Sequence, residues 1–274
     1  MFDDERPARD MPNNGGSADW TEDLQASTAF LTRLPVGADR TGTFDLRRGA
    51  RAFPATGAII GAAAAAVVIA CGAAGMSALL SAVFAVTALI VITGALHEDG
   101  LADTADGFWG GAEKERKLAI MRDSRVGTFG VISLLVSVFI RVAALSQIIE
   151  ETGVALAAAA LVAAETISRH GMVALMATSP PARSDGLAVS AGTPLAASNR
   201  TSLYITLAIG IPMLWFAGGV QGIVIAGVLA ALAFLGVREL AKRHIGGHTG
   251  DVCGAAQQLM EIAVLTGLAL AAGD

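Results

Sequence analysis

The chain has 274 residues, of which 54% are hydrophobic and 16% charged, with a mean hydropathy of +0.60 and a net charge of −5. That balance lies outside the range of soluble domains and of disordered chains, and it indicates an integral membrane protein. It also excludes a nucleic-acid footprint, and the two cysteines, Cys71 and Cys253, are too few for a disulfide framework or a cysteine metal site.

Residues 1–18 are polar, with Pro7, Pro12 and Asn13-Asn14-Gly15-Gly16. They read as a disordered extension without the apolar core of a secretory signal, ahead of a single integral-membrane domain over 19–274. Asp19-Trp20-Thr21-Glu22 resembles a helix start with an acidic N3 partner, and Trp20, Leu24, Phe30, Leu31 and Leu34 follow at near-helical spacing up to Pro35. Such a helix either lies on the membrane surface or packs on the domain. Arg33, Arg40, Arg47, Arg48 and Arg51 come next and serve either cytoplasmic retention or phosphate contact.

Stretches of about 20 apolar residues occur at Phe53–Ala74, Ser77–Leu96, Thr128–Ile149, Thr152–Met176, Thr201–Ala217, Gly222–Leu240 and Ala255–Ala272. The sequence therefore predicts an all-α, polytopic transmembrane bundle of about seven spans. Lys and Arg fall in residues 1–51, in the loop after Glu98, after Met176 and at 238–243, whereas the turns at Gly75, Glu150-Glu151 and Gly218–Gln221 have none. Because positive charge is retained inside, the N-terminus and every polar loop are expected on the cytoplasmic face, and the active site with them.

The densest chemistry follows the second span, in His97-Glu98-Asp99-Gly100-Leu101-Ala102-Asp103-Thr104-Ala105-Asp106-Gly107. On a helix Asp99, Asp103 and Asp106 share one face at i, i+4 and i+7, where like charges repel by about 0.2–0.5 kcal/mol per pair. A bound cation makes that arrangement favourable, and oxygen-only ligands favour magnesium or manganese over zinc. The basic segment that follows, with Lys114, Lys117, Arg122 and Arg125 around Asp123, suits a phosphate-bearing substrate, or else is a solvated helix pairing its own charges.

Charges within spans need partners. Glu165 and Arg169, four apart and next to His170, are a structural ion pair or a functional group, and Arg141 reaches either an intramembrane carboxylate or a phosphate. Two turns close the inventory: Ala182-Arg183-Ser184-Asp185-Gly186-Leu187 after Pro180-Pro181, and Gly246-Gly247-His248-Thr249-Gly250-Asp251 before the last span. Glycine-rich backbone at a helix N-terminus can cradle phosphate. Gln257, Gln258 and Glu261 make the inner half of that last helix polar.

The run from His97 to Gly107, with Ile120-Met121-Arg122-Asp123-Ser124-Arg125-Val126-Gly127-Thr128-Phe129-Gly130, resembles the cobalamin synthase (adenosylcobinamide-GDP ribazoletransferase) family. Phe30-Leu31-Thr32-Arg33-Leu34-Pro35, Phe53-Pro54-Ala55-Thr56-Gly57, Ser168-Arg169-His170, Ala182-Arg183, Gly186-Leu187 and the Gly246–Asp251 turn agree in the same order, from about Ala29 to Leu265. The resemblance implies a magnesium-dependent transferase in the inner membrane of a prokaryote. Adenosylcobinamide-GDP and α-ribazole, or its 5′-phosphate, would be joined to adenosylcobalamin, or its 5′-phosphate, with release of GMP.

On that reading Asp99, Asp103 and Asp106, with Asp123, hold the metal. Arg122, Arg125, Arg169, Arg183 and Asp251 contact substrate. The ribazole 5′ oxygen is the nucleophile, and His97 is either its general base or a helix-end hydrogen bonder. A homo-oligomer, or contact with other cobalamin-assembly enzymes, is compatible with it. The aspartates also resemble those of CDP-alcohol phosphotransferases, without the Ala-Arg that follows there. A secondary transporter would place its charges nearer mid-membrane and expose loops on both sides.

Overall fold

The computed structural model describes residues 20–36, 45–183 and 192–273. The expected extension over 1–18, Arg40, and the Ser184–Leu187 part of the turn after α8 lie outside the described residues. Among those residues every regular element is helical, apart from one bridge between Pro181 and His248. The helices are α1 (Trp20–Leu31), α2 (Leu46–Gly49) with a 3-10 turn (Ala50–Ala52), α3 (Phe53–Ala73), α4 (Ala78–Thr93), α5 (Leu96–Gly110), α6 (Lys114–Ile120), α7 (Thr128–Thr152), α8 (Val154–Thr178), α9 (Ala196–Ile245) and α10 (Gly250–Ala272).

Four stretches are long and apolar enough to cross a membrane: 47–73, which contains α3, and α7, α9 and α10. The pair α4 and α5 makes a fifth when counted together. The coarse expectation of a polytopic helical bundle holds. α5 by itself, 15 residues carrying Glu98, Asp99, Asp103 and Asp106, is too short and too polar to span.

α9 is not one rod. Ser202 meets His170 Nδ1 at 2.9 Å and Arg238 Nη2 donates to the Thr178 carbonyl at 3.5 Å, so two points that a continuous helix would hold roughly 54 Å apart touch α8 about 12 Å apart. The chain doubles back at Gly219, whose φ of 59° and ψ of −152° are open only to a residue without a Cβ. Its two arms coincide with the two separate apolar stretches read from the sequence.

The bundle is built inside out relative to a soluble one. On α7, Phe139 is 70% exposed while Arg141 is fully buried, and Leu135 and Val136 face outward as Ser137 and Leu145 face inward. Small residues let the helices close. A Cβ on Gly57 would collide with the Glu165 carbonyl oxygen, and one on Gly61 would lie 2.8 Å from Val162 Cα, so α3 rests backbone to backbone on α8. α1 is a packing helix: Asp23, buried at 4% exposure, takes Arg48 at 2.9 Å and Arg51 at 2.6 Å, and Arg51 also covers the Trp20 ring at 4.0 Å.

Candidate active site

Two consecutive left-handed residues, Gly94 (φ 64°) and Ala95 (φ 58°), stop α4 and swing the chain by 88° into α5. The acidic helix therefore lies across the end of the bundle and packs on α10 and α7. A Cβ on Gly100 would sit 2.7 Å from the Asp251 carbonyl oxygen, and one on Gly254 3.2 Å from that of His97, so α5 and α10 meet along a glycine seam. That seam brings Asp251 to the same place as Asp99 and Asp103.

The α10 end is held by the chain after α8. His248 N donates to the Pro180 carbonyl at 2.9 Å, and Ala182 N to the His248 carbonyl at 2.8 Å. The next residue, Arg183, then reaches Asp251 at 3.5 Å. Thr249 caps α10 by accepting from Val252 N, and its hydroxyl donates to Asp251 at 3.1 Å. Segments 180–183 and 246–251 are thus tied together. Gly247 permits it, because a Cβ there would strike the Pro180 carbonyl oxygen.

The three aspartates of the motif differ. Asp99 is exposed and Asp103 half-buried, but Asp106 is buried and its two oxygens accept from Gly127 N at 2.6 Å and Gly130 N at 2.9 Å. Asp106 thereby closes the start of α7, and both glycines are needed, since a Cβ on either would press on its carboxylate. Asp106→Ala is expected to cost about 1–2 kcal/mol, read as a lower melting temperature of the detergent-solubilised protein; an unchanged melting temperature would show the amides are satisfied without it.

Asp103 lies on α5, the half of the bent pair that is too short and too polar to span alone. Its carboxyl is pushed from 3.8 up to about 7, first by burial and then by Asp99, Asp251 and Asp106, against the pull of Arg183. Since the folded value lies above the unfolded one, the stability contributed is fully present below about pH 4 and is lost as pH rises through 7. Melting temperature without metal is therefore expected to fall from pH 5 to pH 8, and Asp103→Asn to flatten that fall; an equal fall in both would assign it to another group.

Of the remaining sequence candidates, Asp123 sits on the exposed loop after α6, where a hydrogen bond from Arg125 Nη2 at 2.7 Å holds its carboxyl down at about 2. Arg122 is exposed on the same loop. Arg169 is elsewhere, 1% exposed in the interior and paired within α8 to Glu165 at 2.6 Å. His97 is 1% exposed on the inner side of α5, and its Nε2 has no hydrogen-bond partner. Arg141, left open between carboxylate and phosphate, takes carboxylates: its Nη2 donates to Glu98 at 3.0 Å and its Nη1 to Glu261 at 3.4 Å.

Among the described residues no three Asp, Glu, His or Cys side chains converge tightly enough to cage a metal. Asp99, Asp103 and Asp251 instead form an open acidic face, with Arg183 at its edge. Fold and polar face together describe a multi-pass helical membrane protein with an acidic face built by α5 and α10.

Comparison with known proteins places it further. Residues 23–269 match the family of cobalamin-5-phosphate synthases. The chain is 44% identical to the adenosylcobinamide-GDP ribazoletransferase of Sinorhizobium sp, over 93% of this chain and 99% of that one. It is 43% identical to the proteins so named of Azorhizobium caulinodans (90% and 94% covered) and Brucella anthropi (91% and 96% covered). No solved structure matches it. The chain belongs to the cobalamin-5-phosphate synthase family and is an enzyme of cobalamin synthesis.

Proposed function

We propose that the chain joins adenosylcobinamide-GDP to α-ribazole or its 5′-phosphate, releasing GMP, at the face formed by Asp99, Asp103, Asp251 and Arg183. The observation that carries the reading is the meeting of α5 and α10: an acidic cluster that raises Asp103 to about 7 suits a divalent cation, and the arginine beside it suits the phosphate oxygens that such a cation would carry. The relatives' shared name supplies the substrates.

Magnesium fits this half-site. It keeps several waters and is usually held by one or two carboxylates plus substrate phosphates, so a closed protein cage is not needed. Asp99, Asp103 and Asp251 would hold it, and when bound it neutralises diphosphate oxygens and so eases departure of GMP. Asp106 and Asp123 we place outside the ligand set, since Asp106 is committed to the α7 amides and Asp123 to Arg125.

The bond formed is between an acceptor hydroxyl and the phosphorus next to cobinamide, and the bond broken is the diphosphate bridge. An acceptor that keeps a 5′-phosphate through the reaction cannot attack through O5′, so we assign the attack to a secondary ribose hydroxyl. Arg183 binds phosphate, and Arg122 and Arg125 approach from the loop that Asp106 holds. In phosphoryl transfer, positioning and charge neutralisation dominate over proton removal. The buried His97 serves as the base only when the acceptor is seated beneath the first turn of α5.

We infer seven crossings, formed by α3, α4, α7, α8, both arms of α9 and α10. The N-terminus and the α5 face are then cytoplasmic, in the inner membrane of a prokaryote, by the placement of Lys and Arg. The test is turnover by the full chain in lipid nanodiscs, with magnesium and with chelator. Magnesium-dependent GMP and cobalamin support the reading. Conversion of a CDP-activated lipid and an alcohol instead would move the chain to a phospholipid-type reaction.

A further inference from the structure

The interior of the bundle holds a polar cluster that the transfer chemistry does not use. Arg141 of α7 is fully buried and forks onto Glu98 of α5 and Glu261 of α10. Gln258 Nε2 donates to Glu98 at 3.2 Å, Ser137 donates to Gln258 at 3.0 Å, and Gln257 ties Glu261 at 2.9 Å to Ser168 of α8 at 3.2 Å. Glu98 Oε2 and Arg141 Nε are left without a hydrogen-bond partner.

Such a cluster is a poor way to add stability, because desolvating charges offsets most of their attraction and well-packed apolar side chains do as well. What an ion pair of this kind supplies is register between elements. Here the elements are the two that build the acidic face. Glu98 immediately precedes Asp99 and lies five residues before Asp103 on α5, and Glu261 lies on the same helix as Asp251. The other interior pair, Arg169 with Glu165, lies within α8 and meets the cluster at Glu261 and Ser168, whereas Arg141 is the arginine bonded to both α5 and α10.

We propose that Arg141 is a positioning residue for the transfer: by holding Glu98 and Glu261 with its two Nη groups it sets α5 against α10, and so sets Asp99 and Asp103 at the distance from Asp251 that the substrate's diphosphate and its cation require. The glycine seam at Gly100 and Gly254 lets the helices approach, but glycine contacts specify no register by themselves. The Arg141 fork does. A lysine keeps the charge and loses the fork, since an ammonium is a point charge without the planar pair of donors.

This rests on the proposed reaction, and the test separates the two. Wild type and Arg141→Lys are compared in nanodiscs by steady-state kinetics and, without substrate, by titration with Mn2+ followed by electron paramagnetic resonance. Expected are a folded variant, a kcat lower by roughly 10- to 100-fold, and weaker Mn2+ binding, with the KM for ribazole little changed. A variant whose surviving folded molecules match wild type in kcat and in Mn2+ binding would overturn the positioning role while leaving the reaction standing. If wild type forms no product, the reaction falls and the Mn2+ titration alone decides the positioning. Should Arg141→Lys not fold, Glu98→Gln, which weakens the α5 end of the fork, is read in the same way.

Discussion

Asp103→Asn is expected to lower turnover by about three orders of magnitude while insertion and folding persist. Asp103 faces the other carboxylates: after burial, Asp99, Asp251 and Asp106 each push its pKa up, and Arg183 pulls it down. Asparagine removes a charge that the fold tolerates poorly and the proposed reaction needs. Activity and stability should therefore part, with turnover collapsing and melting temperature at pH 8 without metal unchanged or higher. A general packing defect would lower both together. Turnover within about threefold of wild type, per mole of folded protein in the same nanodiscs, would remove Asp103 from the site; the threefold margin is about 0.65 kcal/mol, small for a group placed on the reacting phosphates.

Gly57→Leu is expected to damage the fold severely. The Cβ would meet the Glu165 carbonyl oxygen and carbon and Thr166 Cα, all backbone, so no side chain can swing aside. α3 and α8 would have to separate, at a cost on the order of 1–3 kcal/mol or more for overpacking. The damage would reach the site only indirectly, because α8 leads through Pro180 to Arg183. The measurement is the fraction of protein recovered as a monodisperse peak after mild detergent extraction. Recovery equal to wild type would mean that the seam is looser than its glycines indicate, and Gly57→Ala would then be neutral as well.

Much of the architecture was legible from residue order because lipid imposes a simple rule. A spanning segment must be helical and apolar for about 20 residues; each apolar stretch read from the sequence falls on a helix, of which α3, α7, α9 and α10 are long and apolar enough to cross and α4 with α5 makes a fifth. The aspartate stripe was legible too, since helical spacing alone puts Asp99, Asp103 and Asp106 on one side. What spacing could not separate was their tasks. Asp106 is withdrawn from the stripe by two amides of α7, more than 20 residues away, and only the pair Gly127 and Gly130 hinted that something must come close there.

Other parts depended on tertiary contacts that no local pattern carries. Asp251 joins Asp103 because two helices meet at Gly100 and Gly254, and Arg183 joins them because Pro180 and Ala182 bond to His248. The carboxylate partners of Arg141 were half legible: a buried arginine in a span needs an anion, but Glu98 and Glu261 are separated from it by 43 and 120 residues. Arg169 shows the opposite case. Its partner was four residues away in plain sight, and that local pairing buries it in α8 rather than at the acidic face.

In the proposed reaction the phosphorus next to cobinamide moves from the diphosphate to ribazole, and a label on that atom follows the transfer. Adenosylcobinamide-GDP labelled with 32P only at the phosphate bonded to cobinamide is given to the full chain in nanodiscs, with α-ribazole and magnesium. All label is expected in the cobalamin product, with unlabelled GMP formed in equal amount. Label appearing in GDP or in free phosphate would mean that a different bond is broken and that the proposed transfer does not occur.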